Sequence, residues 1–113
     1  MSQAWPFEPD VRAIVALLAG GDYAEIERRT GGVELRASDL AEAVANYRAR
    51  LVVPSPHVEP ALDVVPHLAG GAWSVNVPLW TAEEGQSDLT LEITVRQNPD
   101  GTFRLEVDGL HVL

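Results

Sequence analysis

Residues 73–113, WSVNVPLWTAEEGQSDLTLEITVRQNPDGTFRLEVDGLHVL, decide the fold, because apolar and polar side chains alternate there through three runs separated by two Gly-bearing turns. Trp73, Val75, Val77 and Leu79 share one parity in the first run, Leu89, Leu91, Ile93 and Val95 in the second, and Phe103, Leu105 and Val107 in the third. Successive strand side chains point to opposite faces, so all of these residues fit one side of a three-stranded antiparallel meander. That side carries no acid, base or nucleophile.

The turns set the expected register. Asn98-Pro99-Asp100-Gly101 puts Pro at the second position of a type I turn and Gly where φ must be positive, the pattern of a three-residue loop with a G1 bulge. Ala82-Glu83-Glu84-Gly85 reads the same way. Asn98 then opposes Thr102 and Ala82 opposes Gln86. This predicts Val95 across from Leu105, Ile93 across from Val107, Val75 across from Ile93 and Val77 across from Leu91, apolar against apolar throughout. Leu110 and Val112 fall out of phase with Val107, which predicts a bulge at Gly109.

Upstream, the period changes. Val11, Ile14, Val15 and Leu18 form one stripe of a helix entered through Pro9 and Asp10 and stopped by Gly20 and Gly21. Asp22 with Glu25 forms a capping box for a short second helix that turns Tyr23 and Ile26 inward and ends at Thr30-Gly31-Gly32. Ser38 is the expected N-cap of a third helix, with Leu40, Val44, Tyr47 and Leu51 on one face. Four prolines between Val53 and Pro66 make that stretch a connector, in which Leu62 and Val64 suggest a short edge strand that tolerates Pro66. Gly70 and Gly71 follow as a turn. The expected organisation is therefore one α+β domain over residues 1–113: helices at about 9–51, a connector over 53–71, and a meander over 72–113.

Bulk properties narrow the function. Eight basic and seventeen acidic residues give a formal net charge of −9, a field that repels phosphate backbones and anionic lipid and argues against nucleic-acid or membrane partners. All eight basic residues are arginine, a bias that GC-rich bacterial coding produces, and they are scattered rather than clustered. There is no cysteine, hence no disulfide, thiolate nucleophile or thiolate metal site. Neither a signal peptide nor an apolar stretch of membrane-spanning length is visible, so a cytoplasmic location is expected.

Few residues suggest chemistry. His57, His67 and His111 have no metal-ligand spacing to one another, no nucleophile elbow or phosphate-binding glycine pattern occurs, and neither a metal nor a cofactor is expected. Asp63 and His67 share strand parity and are the one candidate acid–base pair; the competing reading leaves both in solvent. Trp73 belongs to the apolar parity. Trp80 falls on the opposite face, with Thr94, Arg96 and Arg104 nearby, where it suits an interface; the alternative tucks it under Trp5-Pro6-Phe7.

The order of these elements, with Leu17-Leu18-Ala19-Gly20-Gly21-Asp22-Tyr23 closing the first helix and residues 96–107 forming a last hairpin, resembles the nuclear transport factor 2-like superfamily. That resemblance implies a cystatin-like α+β cone, in which a curved antiparallel sheet wraps around the helices. It also implies a pocket between sheet and helices and, commonly, sheet-to-sheet dimers. Enzymatic members carry a carboxylate or an Asp-His pair in the pocket, whereas the three best strands here offer only apolar side chains. Residues 77–92 also resemble a small, mainly actinobacterial domain family of unknown function, a likeness that extends over most of the chain.

Three readings follow. The first is a non-enzymatic interaction module, a homodimer or a binder of another protein, through Trp80, Thr94, Arg96 and Arg104; a variant is an immunity-type protein that neutralises a basic toxin. The second is a small hydrophobic-ligand binder, its pocket lined by Tyr23, Tyr47, Trp73, Ile93 and Val95. The third is an isomerase- or dehydratase-like enzyme built on Asp63 and His67, with Tyr23 or Tyr47 as hydrogen-bond donor.

Overall fold

Three helices lie on an antiparallel five-stranded sheet in the computed structural model, which describes residues 5–54 and 62–112. The helices are α1 (Glu8–Ala19), α2 (Tyr23–Thr30) and α3 (Ala37–Tyr47), and the strands are β1 (Leu51–Val52), β2 (Asp63–Pro66), β3 (Ala72–Thr81), β4 (Gly85–Gln97) and β5 (Phe103–Val112). The strand order is β1-β3-β4-β5, with β2 also paired to β3. This is the expected α+β arrangement, and the sheet is open, with β5 at one end.

The expected core face forms. Val75, Val77, Leu79, Leu89, Leu91, Ile93, Val95, Leu105 and Val107 are buried together with Val11, Ile14, Leu18, Ile26 and Leu40 from the helices, and Trp73 and Phe103 pack against the rim of this cluster. Each fully enclosed aliphatic side chain contributes roughly 1.5–3 kcal/mol of burial before entropy is subtracted. Pairings Val95–Leu105, Ile93–Val107, Val75–Ile93 and Val77–Leu91 are all present. The bulge at Asp108-Gly109 is present too: Glu92 pairs with Gly109 while Ile93 pairs with Val107, which turns Leu110 back towards Leu91 on the core side. Phe7 is 0 % exposed. Its ring lies 5.2 Å from Trp73 and 5.7 Å from Phe103, so the N-terminal segment closes the end of the sheet away from Trp80.

Four expectations are corrected. The β3–β4 turn pairs Thr81 with Gly85 and Trp80 with Gln86, instead of Ala82 with Gln86; two extra residues in β4 between Gln86 and Thr90 restore the expected register by Pro78–Thr90. Side chains hold the turn in place: Thr81 Oγ1 accepts the Glu84 N–H at 2.9 Å, and the Ala82 N–H donates to the Arg50 carbonyl at 2.9 Å. Next, α3 begins before Ser38, because Glu27 accepts the Ala37 N–H at 2.8 Å and Asp39 accepts the Arg36 N–H at 2.9 Å. Leu51 is not on α3 but in β1, opposite Thr81, because Arg48 stops the helix in a left-handed conformation at φ 62°. Finally, only half of the α2 capping box forms: Asp22 accepts the Glu25 N–H, but the Glu25 carboxylate turns to Arg28 and Arg29.

Candidate functional site

The register determines what the candidate catalytic pair can face. Asp63 pairs with Asn76, and Val64 pairs with the buried Val75. Directly paired residues share a face, so Val64 points to the core and Asp63 to the outer surface, where it is exposed. His67, of the same parity, places Nε2 2.8 Å from Ser74 Oγ on that outer face. Of the two readings of Asp63 and His67, the register agrees with the one that leaves both outside the core, and no ion pair joins them among the described residues. His57 lies outside the described residues.

The five residues expected to line one pocket are distributed along the sheet. Ile93 and Val95 are 1 % and 0 % exposed within the core. Trp73 packs on Phe7 and Phe103, 6.1 Å from the latter. Tyr47 donates its hydroxyl to Glu84 at 3.0 Å, beside the β3–β4 turn at the opposite end of β3 from Trp73. Tyr23 is half-buried at the edge of the core. Trp80 is half-buried, its ring 3.7 Å from where a Gly85 Cβ would stand, and it borders a cleft of about 70 Å3 between α1 and Leu62.

Thr94, Arg96 and Arg104 do come together on the outer face of β4 and β5. Thr94 donates to Asp108, Arg96 Nε lies 3.1 Å from Glu106, and Arg104 lies 3.5 Å from the same carboxylate. Glu92 and His111 approach to 3.1 Å over Gly109, where a Cβ would come within 2.9 Å of Glu92 Oε2. The face carries three neighbouring polar groups: Thr94 with Asp108, Arg96 and Arg104 with Glu106, and Glu92 with His111.

Beside it lies a feature the residue-by-residue reading missed. β5 hydrogen-bonds to β4 alone among the described strands. At the Asn98–Gly101 turn the Asn98 N–H donates to the Thr102 carbonyl at 2.7 Å, and the Gln97 N–H is taken by Gly71 on the β3 side. Backbone groups alternate in direction along an antiparallel strand. Arg104 and Glu106 thus bond to β4, while Phe103, Leu105 and Val107 aim their N–H and C=O groups away from the sheet. A groove of about 310 Å3 flanks the start of this edge, lined by Ile14, Phe103 and Leu105 and by the charged Asp10, Arg29 and Arg104.

Fold and site together define an open-sheet α+β protein in which the long strand β5 pairs on one side only among the described strands. Residues 15–113 match the family described as Domain of unknown function (DUF7668), and the chain belongs to that family. Comparison with curated proteins and with solved structures gives no match, and neither supports the resemblance to the nuclear transport factor 2-like superfamily. No helix among the described residues is long and apolar enough to cross a membrane.

Proposed function

We propose that this protein is a binding module that works by strand addition at the β5 edge. The observation that carries the reading is the row of outward-directed backbone groups at Phe103, Leu105 and Val107 on a ten-residue strand with one neighbour among the described strands. Such an edge is a template for another strand, and folded proteins usually block it with short length, proline, charged side chains or a bulge. β5 is long and has no proline, and its bulge lies past Val107, beyond the outward groups of Phe103, Leu105 and Val107. The outer-face residues Thr94, Arg96 and Arg104 contribute side chains beside that edge, whereas Trp80 sits against Gly85 and the α1 cleft and plays no part in it.

Amide exchange of dilute, isotope-labelled protein tests the reading. The amides of Phe103, Leu105 and Val107 should exchange much faster than those of Arg104 and Glu106, which bond to β4. Equal protection of both sets at low concentration would show the edge covered by the chain itself and remove the proposal.

A further inference from the structure

We infer that the occupant of the β5 edge is a second copy of this chain, paired antiparallel about a two-fold axis through Leu105; the inference rests on the edge reading above. Register decides the pairing. The regular part of the strand is bounded by the Asn98–Gly101 turn on one side and by the bulge at Asp108-Gly109 on the other. A turn and a bulge each end regular pairing, so the usable stretch lies within Thr102–Asp108, and the outward groups it offers, at Phe103, Leu105 and Val107, are centred on Leu105.

Backbone direction restricts the choice further. Only Phe103, Leu105 and Val107 present outward groups, so a two-fold pairing must set these residues against one another. Leu105 on the axis opposes Leu105 of the second copy and sets each Phe103 against a Val107, forming roughly six interchain hydrogen bonds. The two neighbouring registers that keep the same alternation centre on Arg104 or Glu106. They place Arg against Arg or Glu against Glu on the axis, and like charges directly opposed are destabilising. The Leu105 register instead places Arg104 across from Glu106 twice, at non-hydrogen-bonded positions where side chains are closest. Both groups are positioned for this. The Arg104 side chain is 58 % exposed and held at 3.5 Å by Glu106 of its own chain, while Arg96 fixes that Glu106 carboxylate at 3.1 Å. Of the three registers only the Leu105 one opposes no like charges, since the Glu106 register sets Arg104 against Asp108 but opposes Glu106 to itself, and Asp108 is already bonded to Thr94.

A single seven-residue strand pair is below the area of a standard stable interface, so the association is weak and concentration-dependent. Light scattering on the intact chain over about 10 μM to 1 mM should show the mass climbing from 12.2 kDa towards twice that value. R104E and E106R each set like charges across both sides of the axis and should each stay monomeric over the same range, with circular dichroism confirming that both are folded. An equimolar mixture of R104E and E106R restores two opposite-charge pairs and should dimerise at least as well as the wild type. Wild type that remains monomeric to about 1 mM, single variants that dimerise unchanged, or a mixture that fails to pair would each overturn the inference. The edge reading is tested separately: if Phe103, Leu105 and Val107 exchange fast in dilute protein but no dimer forms, the edge reading stands and the pairing with a second copy is wrong.

Discussion

Ser87 takes over a ladder position opposite Leu79: its hydroxyl donates to the Leu79 carbonyl at 2.8 Å while accepting the Leu89 N–H at 3.2 Å. The two extra residues of β4 pass this point, and one side chain satisfies both backbone groups that the irregularity strips of partners. Ser87→Ala leaves a buried acceptor and a buried donor without partners, a loss expected to cost about 1–3 kcal/mol. A urea melt should show a lower midpoint with an unchanged slope, and Ser87→Thr, which keeps the hydroxyl, should lose less.

Arg48 offers the opposite opportunity. It holds φ 62° at the end of α3, a conformation that costs an L-residue with a side chain roughly 1–2 kcal/mol and a glycine almost nothing. Glycine also adds freedom to the unfolded chain, which cancels part of the gain. Arg48→Gly is expected to stabilise the protein by about 0.5–1 kcal/mol and to raise the melting temperature by a few degrees, read by calorimetry.

Acid should loosen α2 selectively. Hydrogen bonds from Arg28 and then Arg29 lower the Glu25 pKa from 4.5 to about 2. A carboxylate whose pKa falls on folding adds stability that is present above pH 4.5 and disappears as the pH falls through about 2. The group is exposed, so salt screens the effect. Glu25→Gln should therefore be less stable than wild type at pH 7 in low salt. Chemical denaturation at a series of pH values should show the two proteins converging between pH 4.5 and about 2. A gap that persists at pH 2 or below would assign the loss to something other than this ion pair.

The parts of the fold legible in the sequence are those set by local chemistry. Parity places Val75, Ile93 and Leu105 on one face because strand geometry has a period of two, and Pro99 and Gly101 specify their turn by backbone preference alone. What escapes the sequence is set by groups far apart in it. The β3–β4 turn moves because Tyr47 bonds Glu84 and the Arg50 N–H bonds Glu83 at 3.0 Å, contacts that no local pattern announces. Leu51 keeps helical spacing from Tyr47 and Val44, yet Arg48 ends the helix without a glycine to mark the stop. The inward reading of Asp63 and His67 fails for a similar reason: equal parity shows that they share a face, and only pairing with Asn76 and Val75 shows which one. The β5 edge follows from topology, so it is invisible to any search for reactive side chains.

Phe7 tests how the N-terminal segment is tied to the sheet. Its ring sits between Trp73 and Phe103, with Trp5 stacked on its far side at a centroid distance of 5.6 Å. These contacts join the entrance of α1 to the first residues of β3 and β5. Removing the ring opens a cavity beneath Trp73, and Phe7→Ala should cost about 3–5 kcal/mol. Because Phe7 and Phe103 share one cluster, their truncations should not add: in the double variant Phe7→Ala/Phe103→Ala the loss should fall short of the sum of the single losses by about 0.5 kcal/mol or more. Trp73 provides a second readout. In a Trp5→Phe/Trp80→Phe background its emission should shift to longer wavelength when Phe7 is truncated, as water reaches the indole. Strict additivity with unchanged emission would mean that the three rings are neighbours without supporting one another.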